Sequence, residues 1–365
     1  MTKLNLIVMD NASELGAKID EHLMQTRRGK TSYIVPIEMV RFSNGEGKVR
    51  INGTVRDNDV YIIGDIGNYD QTYIAHNRVH YMTPDEHFQD IKRAISAMSG
   101  HANRISVIEP LLYESRQDKR KGKESLDCAM ALQELEYLRV RNLITIDAHN
   151  PSVCNAIPRM AYSNIYPTSK ILESVYRNEG EELDNAIVIA PDTGAIERAR
   201  FYAEMLGCDL GHFYKRRDYY KVTNGKNQIL EHAYLGPDVK GKNVIVVDDM
   251  IASGGSVLKV IEELKNRGAR KVFVCVTYAF FTEGIGEFSK HFAEGMLNGV
   301  YVTNVSYVPQ TTKTQPWYFD VDCSELLADV IDRLNKGKTL AGVNESKDEA
   351  YKSFMKVRQR KKTGN

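Results

Sequence analysis

The 365-residue sequence is poor in cysteine, lacks any long apolar run and carries almost no net charge. Its five cysteines, Cys128, Cys154, Cys208, Cys275 and Cys323, are widely spaced and never form a C-x-x-C pair. That pattern excludes a disulfide framework and a structural zinc site, and it suits a reducing compartment. No stretch approaches the ~18 apolar residues of a membrane span. The apolar part of the N-terminal MTKLNLIVMD is too short for a signal-peptide core. A cytoplasmic protein without a membrane partner is therefore expected. Lys plus Arg total 49 and Asp plus Glu total 48, a net charge of +1. This balance removes bulk attraction to nucleic acid, so any anion site must be built locally.

What is present points to a folded α/β chain. Hydrophobic residues make up 42%, enough for a sizeable core, and the length suits two domains. Short apolar runs alternate with segments of helical period. Leu4–Met9, Val60–Gly64, Arg104–Glu109 and Leu143–Asp147 read as strands. Ser13–Met24, with Ser13 as N-cap, Asp85–Met98 and Ser125–Tyr137 read as helices. The pattern then repeats: helix Ser169–Arg177, strand Ala186–Ala190, helix Ala195–Leu206, strand Asn243–Val247, helix Gly255–Arg267 and strand Lys271–Val276. Continuous apolar strands such as AIVIA and VIVV fit sheets covered on both faces, hence mostly parallel sheets flanked by helices. The expected division is residues 1–155, 156–337 and a polar basic tail, 338–365. Residues 67–86 read as a long polar connection rich in Tyr, Asn and His, a length often functional.

The most specific signal is NVIVVDDMIASGGSV. A buried strand runs into Asp248 and Asp249, and a turn with Ser253, Gly254, Gly255 and Ser256 opens a helix. Ligands bind at the carboxyl ends of parallel strands. Glycines let backbone N–H groups approach a phosphate, and the helix start adds positive potential. The acids are placed to accept hydrogen bonds from vicinal hydroxyls or to approach a hydrated Mg²⁺. Phosphate beside diol acceptors describes a ribose 5-phosphate.

VVDDMIASGGS resembles the sugar-phosphate loop of the type I phosphoribosyltransferase fold. The chain from about residue 4 to about 334 resembles ribose-phosphate pyrophosphokinases, with two tandem domains of that fold. The resemblance implies transfer of pyrophosphate from ATP to ribose 5-phosphate, giving phosphoribosyl pyrophosphate and AMP, with Mg²⁺ as cofactor. It also implies a homo-oligomer built from dimers that stack into hexamers.

Several other segments take roles by the same resemblance. In RFSNGE, Phe42 offers a stacking face for a purine, and Asn44 and Glu46 offer partners for an exocyclic amine; the family uses this segment for adenine. SRQDKRK is either a solvated charged loop or a triphosphate clamp, and Arg116 and Gln117 match the family's ATP contacts. His149, two residues after Asp147 at a strand end, matches the Mg²⁺–ATP site. In PDTGA, Asp192 matches a ribose or metal-water contact. Lys215 and Arg217 match a Lys and an Arg that the family's mobile β-hairpin brings over the reacting phosphates. Three departures stand out: Glu124 and Leu126 where Arg and Pro are common, Ala195 for a glycine, and Ala252 for an acid.

Three rival readings stay open. A phosphoribosyltransferase consuming phosphoribosyl pyrophosphate needs only one such domain. A weakly active regulatory paralogue fits Ala252. A related kinase could use a larger ribosyl acceptor such as ADP-ribose.

Overall fold

The computed structural model describes residues 3–120, 122–223, 226–341 and 355, without the side chains of 181, 182 and 215–232. By contact the chain divides into two units. In the first lie β1 (Leu4–Val8), α1 (Ser13–Arg27), β2 (Ile37–Arg41), β3 (Gly47–Ile51), β4 (Asp59–Ile63), β5 (Thr72–Ala75), β6 (Arg78–Tyr81), α2 (Pro84–Met98), β7 (Arg104–Ile108), α3 (Asp127–Tyr137), β8 (Asn142–Ile146) and β9 (Ala161–Ile165). The second holds α4 (Thr168–Glu179), β10 (Ala186–Ala190), α5 (Ile196–Leu206), β11 (Asp209–Thr223), β12 (Lys226–Leu235), β13 (Asn243–Ile251), α6 (Gly255–Asn266), β14 (Lys271–Ala279), α7 (Gly286–Ala293), β15 (Gly299–Thr303), α8 (Gln310–Lys313) and β16 (Tyr318–Val321). Helix α9 (Ser324–Asn335) returns to the first unit.

The first unit is built on a five-stranded sheet in the order β1-β4-β7-β8-β9, and every pairing is parallel. Strand β4 is buried along its whole length, as a sheet covered on both faces requires. Its core gathers Val60, Ile62, Val107 and Leu143 with Phe88, Ile91, Ile95 and Met98 of α2. Each such side chain contributes about 1.5–3 kcal/mol on burial. The α2 face is the one its helical spacing anticipates. The helix starts with a capping box, Thr83 with Glu86, and Pro84 fills the first turn, where its missing N–H costs nothing.

The second unit is a seven-stranded sheet, β12-β11-β10-β13-β14-β15-β16. All pairings are parallel except β11 with β12. Strands β10 and β15 are wholly buried, and Phe281, Phe288 and Trp317 form an aromatic cluster with centroids 5.0–5.8 Å apart.

Several sequence expectations shift. The division expected near residue 155 falls inside the first unit, because β9 pairs with β8. The end expected at 337 shifts too, because Arg27 of α1 holds α9 through Asp332 at 2.6 Å and Asn335 at 2.9 Å. Ser13 is not an N-cap: a 3₁₀ turn, Asp10–Ala12, precedes it, and Ala12 takes the cap position. The connection 67–86 contains the β5–β6 hairpin and the start of α2. The basic tail beyond 341 lies outside the described residues apart from residue 355.

Candidate active site

In the second unit, β13 runs on past the expected end at Val247 to Ile251. Asp248 pairs with Val276 and Met250 with Tyr278, so β13 and β14 extend together beyond the register with β10, which stops at Val246. The two acids therefore sit on the strand rather than after it. Pleating sends adjacent side chains to opposite faces. Asp249 is buried, while Asp248 lies in the field of Asp192 and Arg198. Burial raises the Asp248 carboxyl well above the usual carboxylate range; Asp249 and Asp192 push the same way, and Arg198 pulls it back.

The turn after β13 is pinned on both sides. Phe280 N–H donates to the Ile251 carbonyl at 2.8 Å and Thr282 N–H to the Ala252 carbonyl at 2.9 Å. Gly254 has φ +91°, and a Cβ there would overlap the Phe288 ring, so both backbone and packing demand glycine. Gly254 is also the N-cap of α6 and gives its first turn no side-chain acceptor. Gly255 faces open space: a Cβ added there would meet nothing within 4 Å. A helix start of this kind binds anions through its N–H groups. Ser253 and Ser256 flank the glycines, half-buried and exposed. Asp192 caps the next turn along the sheet, accepting from Gly194 N–H at 2.9 Å. Thus Asp192, Asp248 and the 253–256 turn lie at the ends of neighbouring parallel strands.

In the first unit, the loops after β7 and β8 are tied together. Asn150 Nδ2 donates to Asp118 Oδ2 at 2.5 Å and Asn150 Oδ1 accepts from Ser152 N–H. This holds the segment of exposed Arg116 and half-buried Gln117 beside the segment of exposed His149. Gln117 spends its amide on the Ser125 carbonyl at 3.0 Å. Asp147 is buried with φ +47°, and Asn164 of β9 accepts from Ala148 N–H at 2.8 Å. Phe42, Asn44 and Glu46 sit elsewhere, at the exposed tip of the β2–β3 hairpin. Lys48 Nζ lies 5.7 Å from the Phe42 ring centroid, and Asn44 Nδ2 donates to Glu46 Oε2 at 2.9 Å.

Lys215 and Arg217 are on β11, in register with His232 and Ile229 of β12, with an irregularity at Arg216/Arg217. Their side chains lie outside the described residues. Among the described residues, no group of three or more His, Cys, Asp or Glu is arranged to hold a metal ion. No described helix is long and apolar enough to cross a membrane.

Sequence reading missed Arg198, Asn150 and Asn164. Arg198 had a usable signal, one helical turn after Ala195; the two asparagines had none. It also missed Glu109, buried at the end of β7. Its Oε1 accepts from Tyr113 N–H at 2.5 Å, while Oε2, Tyr162 Oη and Asn164 Nδ2 are buried without a partner among the described residues. Burial pushes the Glu109 carboxyl up to about 8.

A mostly parallel sheet whose strand ends carry an acid, a glycine turn and a helix start is the arrangement of a phosphate-binding α/β domain. A family model described as the phosphoribosyl transferase domain matches residues 161–293. Another, described as the N-terminal domain of ribose phosphate pyrophosphokinase, matches residues 4–138. The ribose-phosphate pyrophosphokinase of Pyrococcus furiosus is 34% identical over 206 residues, 56% of this chain and 70% of that protein. That of Thermococcus kodakarensis is 29% identical over 301 residues, 81% of this chain and 97% of that protein. The chain belongs to the ribose-phosphate pyrophosphokinase family. In fold it is similar to the crystal structure of phosphoribosylpyrophosphate synthetase from Mycobacterium smegmatis, with a TM-score of 0.74 and 22% identity over 92% of this chain and 99% of that one.

Proposed function

We propose that the protein transfers the β,γ-pyrophosphoryl group of ATP to the C1 hydroxyl of ribose 5-phosphate. The observation that carries this reading is the pinned Ala252–Ser256 turn, with its obligatory Gly254, leading from the acid-bearing end of β13 into α6. The 5-phosphate would take the backbone N–H groups and hydroxyls of Ser253, Gly254, Gly255 and Ser256. Asp248 and Asp192, which share a field, would accept from the ribose hydroxyls. Opposite pleat faces leave Asp249 to order the strand end or a bound water.

Arg116 and Gln117 would hold the triphosphate and Phe42, Asn44 and Glu46 the adenine. The C1 oxygen attacks the β-phosphorus in line; the bond from that phosphorus to the α,β-bridging oxygen breaks, and AMP leaves with the oxygen. The hydroxyl proton is released to solvent or a nearby base. Lys215 and Arg217, and His149 beside the triphosphate, would offset the charge on the leaving group. Positioning supplies most of the rate.

Mg²⁺ would be held chiefly by waters and phosphate oxygens, so it needs few protein ligands; His149 and Asp192 are its candidate contacts. When bound, the ion neutralises phosphate charge. A cytoplasmic homo-oligomer accords with the family. The test is AMP release from ATP with ribose 5-phosphate, ribose or ADP-ribose as acceptor. Release with ribose 5-phosphate alone supports the reading; release only with ADP-ribose refutes the acceptor.

A further inference from the structure

The β5–β6 hairpin takes no part in the reaction outlined above, and its packing is unusual. By register, Thr72, Ile74, Val79 and Tyr81 share one face, and Tyr73, Ala75, Arg78 and His80 the other. Ile74, Val79 and Tyr81 are 69%, 62% and 67% exposed. A hairpin kept for core stability would bury these side chains. The inner face instead makes specific contacts with the β2–β3 hairpin that carries Phe42, Asn44 and Glu46.

Those contacts converge on the tip. The two-residue turn His76–Asn77 has both residues at positive φ, 49° and 57°, the tight geometry that matches strand twist. Its His76 N–H donates to the Ser43 carbonyl at 2.9 Å. The Tyr73 hydroxyl lies 3.8 Å from where a Cβ on Gly45 would sit. The Tyr73 ring stacks on His80 at 5.4 Å and takes the Arg41 guanidinium at 5.3 Å. Its hydroxyl donates to Glu86 Oε1 at 2.7 Å, and Arg41 donates to Asp90 Oδ2 at 2.5 Å. Tyr73 thus joins the tip to α2.

We infer that the Thr72–Tyr81 hairpin is a clamp that positions the Phe42–Glu46 tip for the base of the nucleotide, with Tyr73 as its central positioning residue. The inference rests on the proposed role of that tip in binding a purine. A lone two-stranded ribbon is marginal in water. Without the clamp, binding would have to order the exposed Phe42, Asn44 and Glu46 side chains, a cost that corresponds to roughly tenfold in affinity or more. Binding of the phosphates does not draw on the tip.

The test compares four variants of the full-length enzyme. Met82 N–H already meets the Gln71 carbonyl at 2.8 Å, so residues 72–81 can be replaced by Gly-Gly without stretching the chain. That replacement and Tyr73→Ala should each raise KM for ATP about tenfold, leaving kcat at saturating ATP and inhibition by tripolyphosphate unchanged. Tyr73→Phe, which keeps the ring on Arg41 and His80 but removes the hydroxyl's bond to Glu86, should raise KM for ATP less than Tyr73→Ala does. Phe42→Ala separates the two ideas. If Phe42→Ala raises KM for ATP but Tyr73→Ala and the replacement do not, the clamp is wrong and the base site stands. If Phe42→Ala has no effect, the base site itself is wrong, and the clamp with it. Equal weakening of ATP and tripolyphosphate by Tyr73→Ala would show general disruption and overturn the inference.

Discussion

Glu109→Gln should make the protein more stable, and increasingly so as pH rises. Glu109 is buried at the end of β7. Among the described residues, the groups that share its field are Cys128 and Tyr162, neither of them cationic. Burial lifts its carboxyl from 4.5 to about 8, with only the Tyr113 N–H bond acting against the shift. The sign follows from proton counting. Between the unfolded and folded values the folded chain holds a proton that the unfolded chain has released, so stability falls as pH rises and levels off above the folded value. At roughly 1.4 kcal/mol per pH unit, the full loss is on the order of 5 kcal/mol. Gln has nearly the same shape and cannot ionise. The variant should match wild type to within about 1 kcal/mol at pH 5 and exceed it by roughly 3–5 kcal/mol at pH 9. Hydrogen exchange at the Val107 and Ile108 amides, compared between the two proteins at each pH, reads this locally. Parallel protection from pH 5 to pH 9, or a less protected variant at pH 9, would refute the reasoning.

Gly254→Ala should destabilise the second unit by about 1–3 kcal/mol, through positive φ and overlap with Phe288, and weaken ribose 5-phosphate in titration calorimetry; unchanged melting and binding would remove the glycine requirement. Asp65→Ala should cost roughly 2–4 kcal/mol in urea unfolding, because it strands the buried donor Ser306 Oγ and the half-buried Tyr307 and Gly67 N–H groups. Lys215→Ala should lower the turnover number by orders of magnitude while leaving the melting temperature near wild type; normal turnover would take Lys215 out of the mechanism.

Much of the fold is legible in the sequence because buried parallel strands leave continuous apolar runs. Val60–Gly64, AIVIA and VIVV all lie in the sheet interior. The glycine turn is legible for a related reason: Gly254 needs both a conformation and a gap that other residues cannot supply. Where β13 ends is not legible. Asp248 and Asp249 look like a strand terminator, yet pairing with β14 carries the strand through them, a tertiary effect that local composition does not encode. The hairpin within residues 67–86 escapes notice because its large apolar residues Ile74, Val79 and Tyr81 face outward, so alternation there mimics a polar loop. Asn150 and Asn164 act through one or two side-chain bonds to loop groups, which have no periodicity to find.

The most direct measurement is ³¹P NMR of ATP and ribose 5-phosphate incubated with the protein and Mg²⁺. The account predicts AMP together with a sugar that keeps its 5-phosphate and gains a diphosphate on C1, and loss of both signals in the Gly254→Ala variant if sugar binding fails there. Formation of ADP with a singly phosphorylated C1, or no AMP under conditions where ATP is bound, would contradict it.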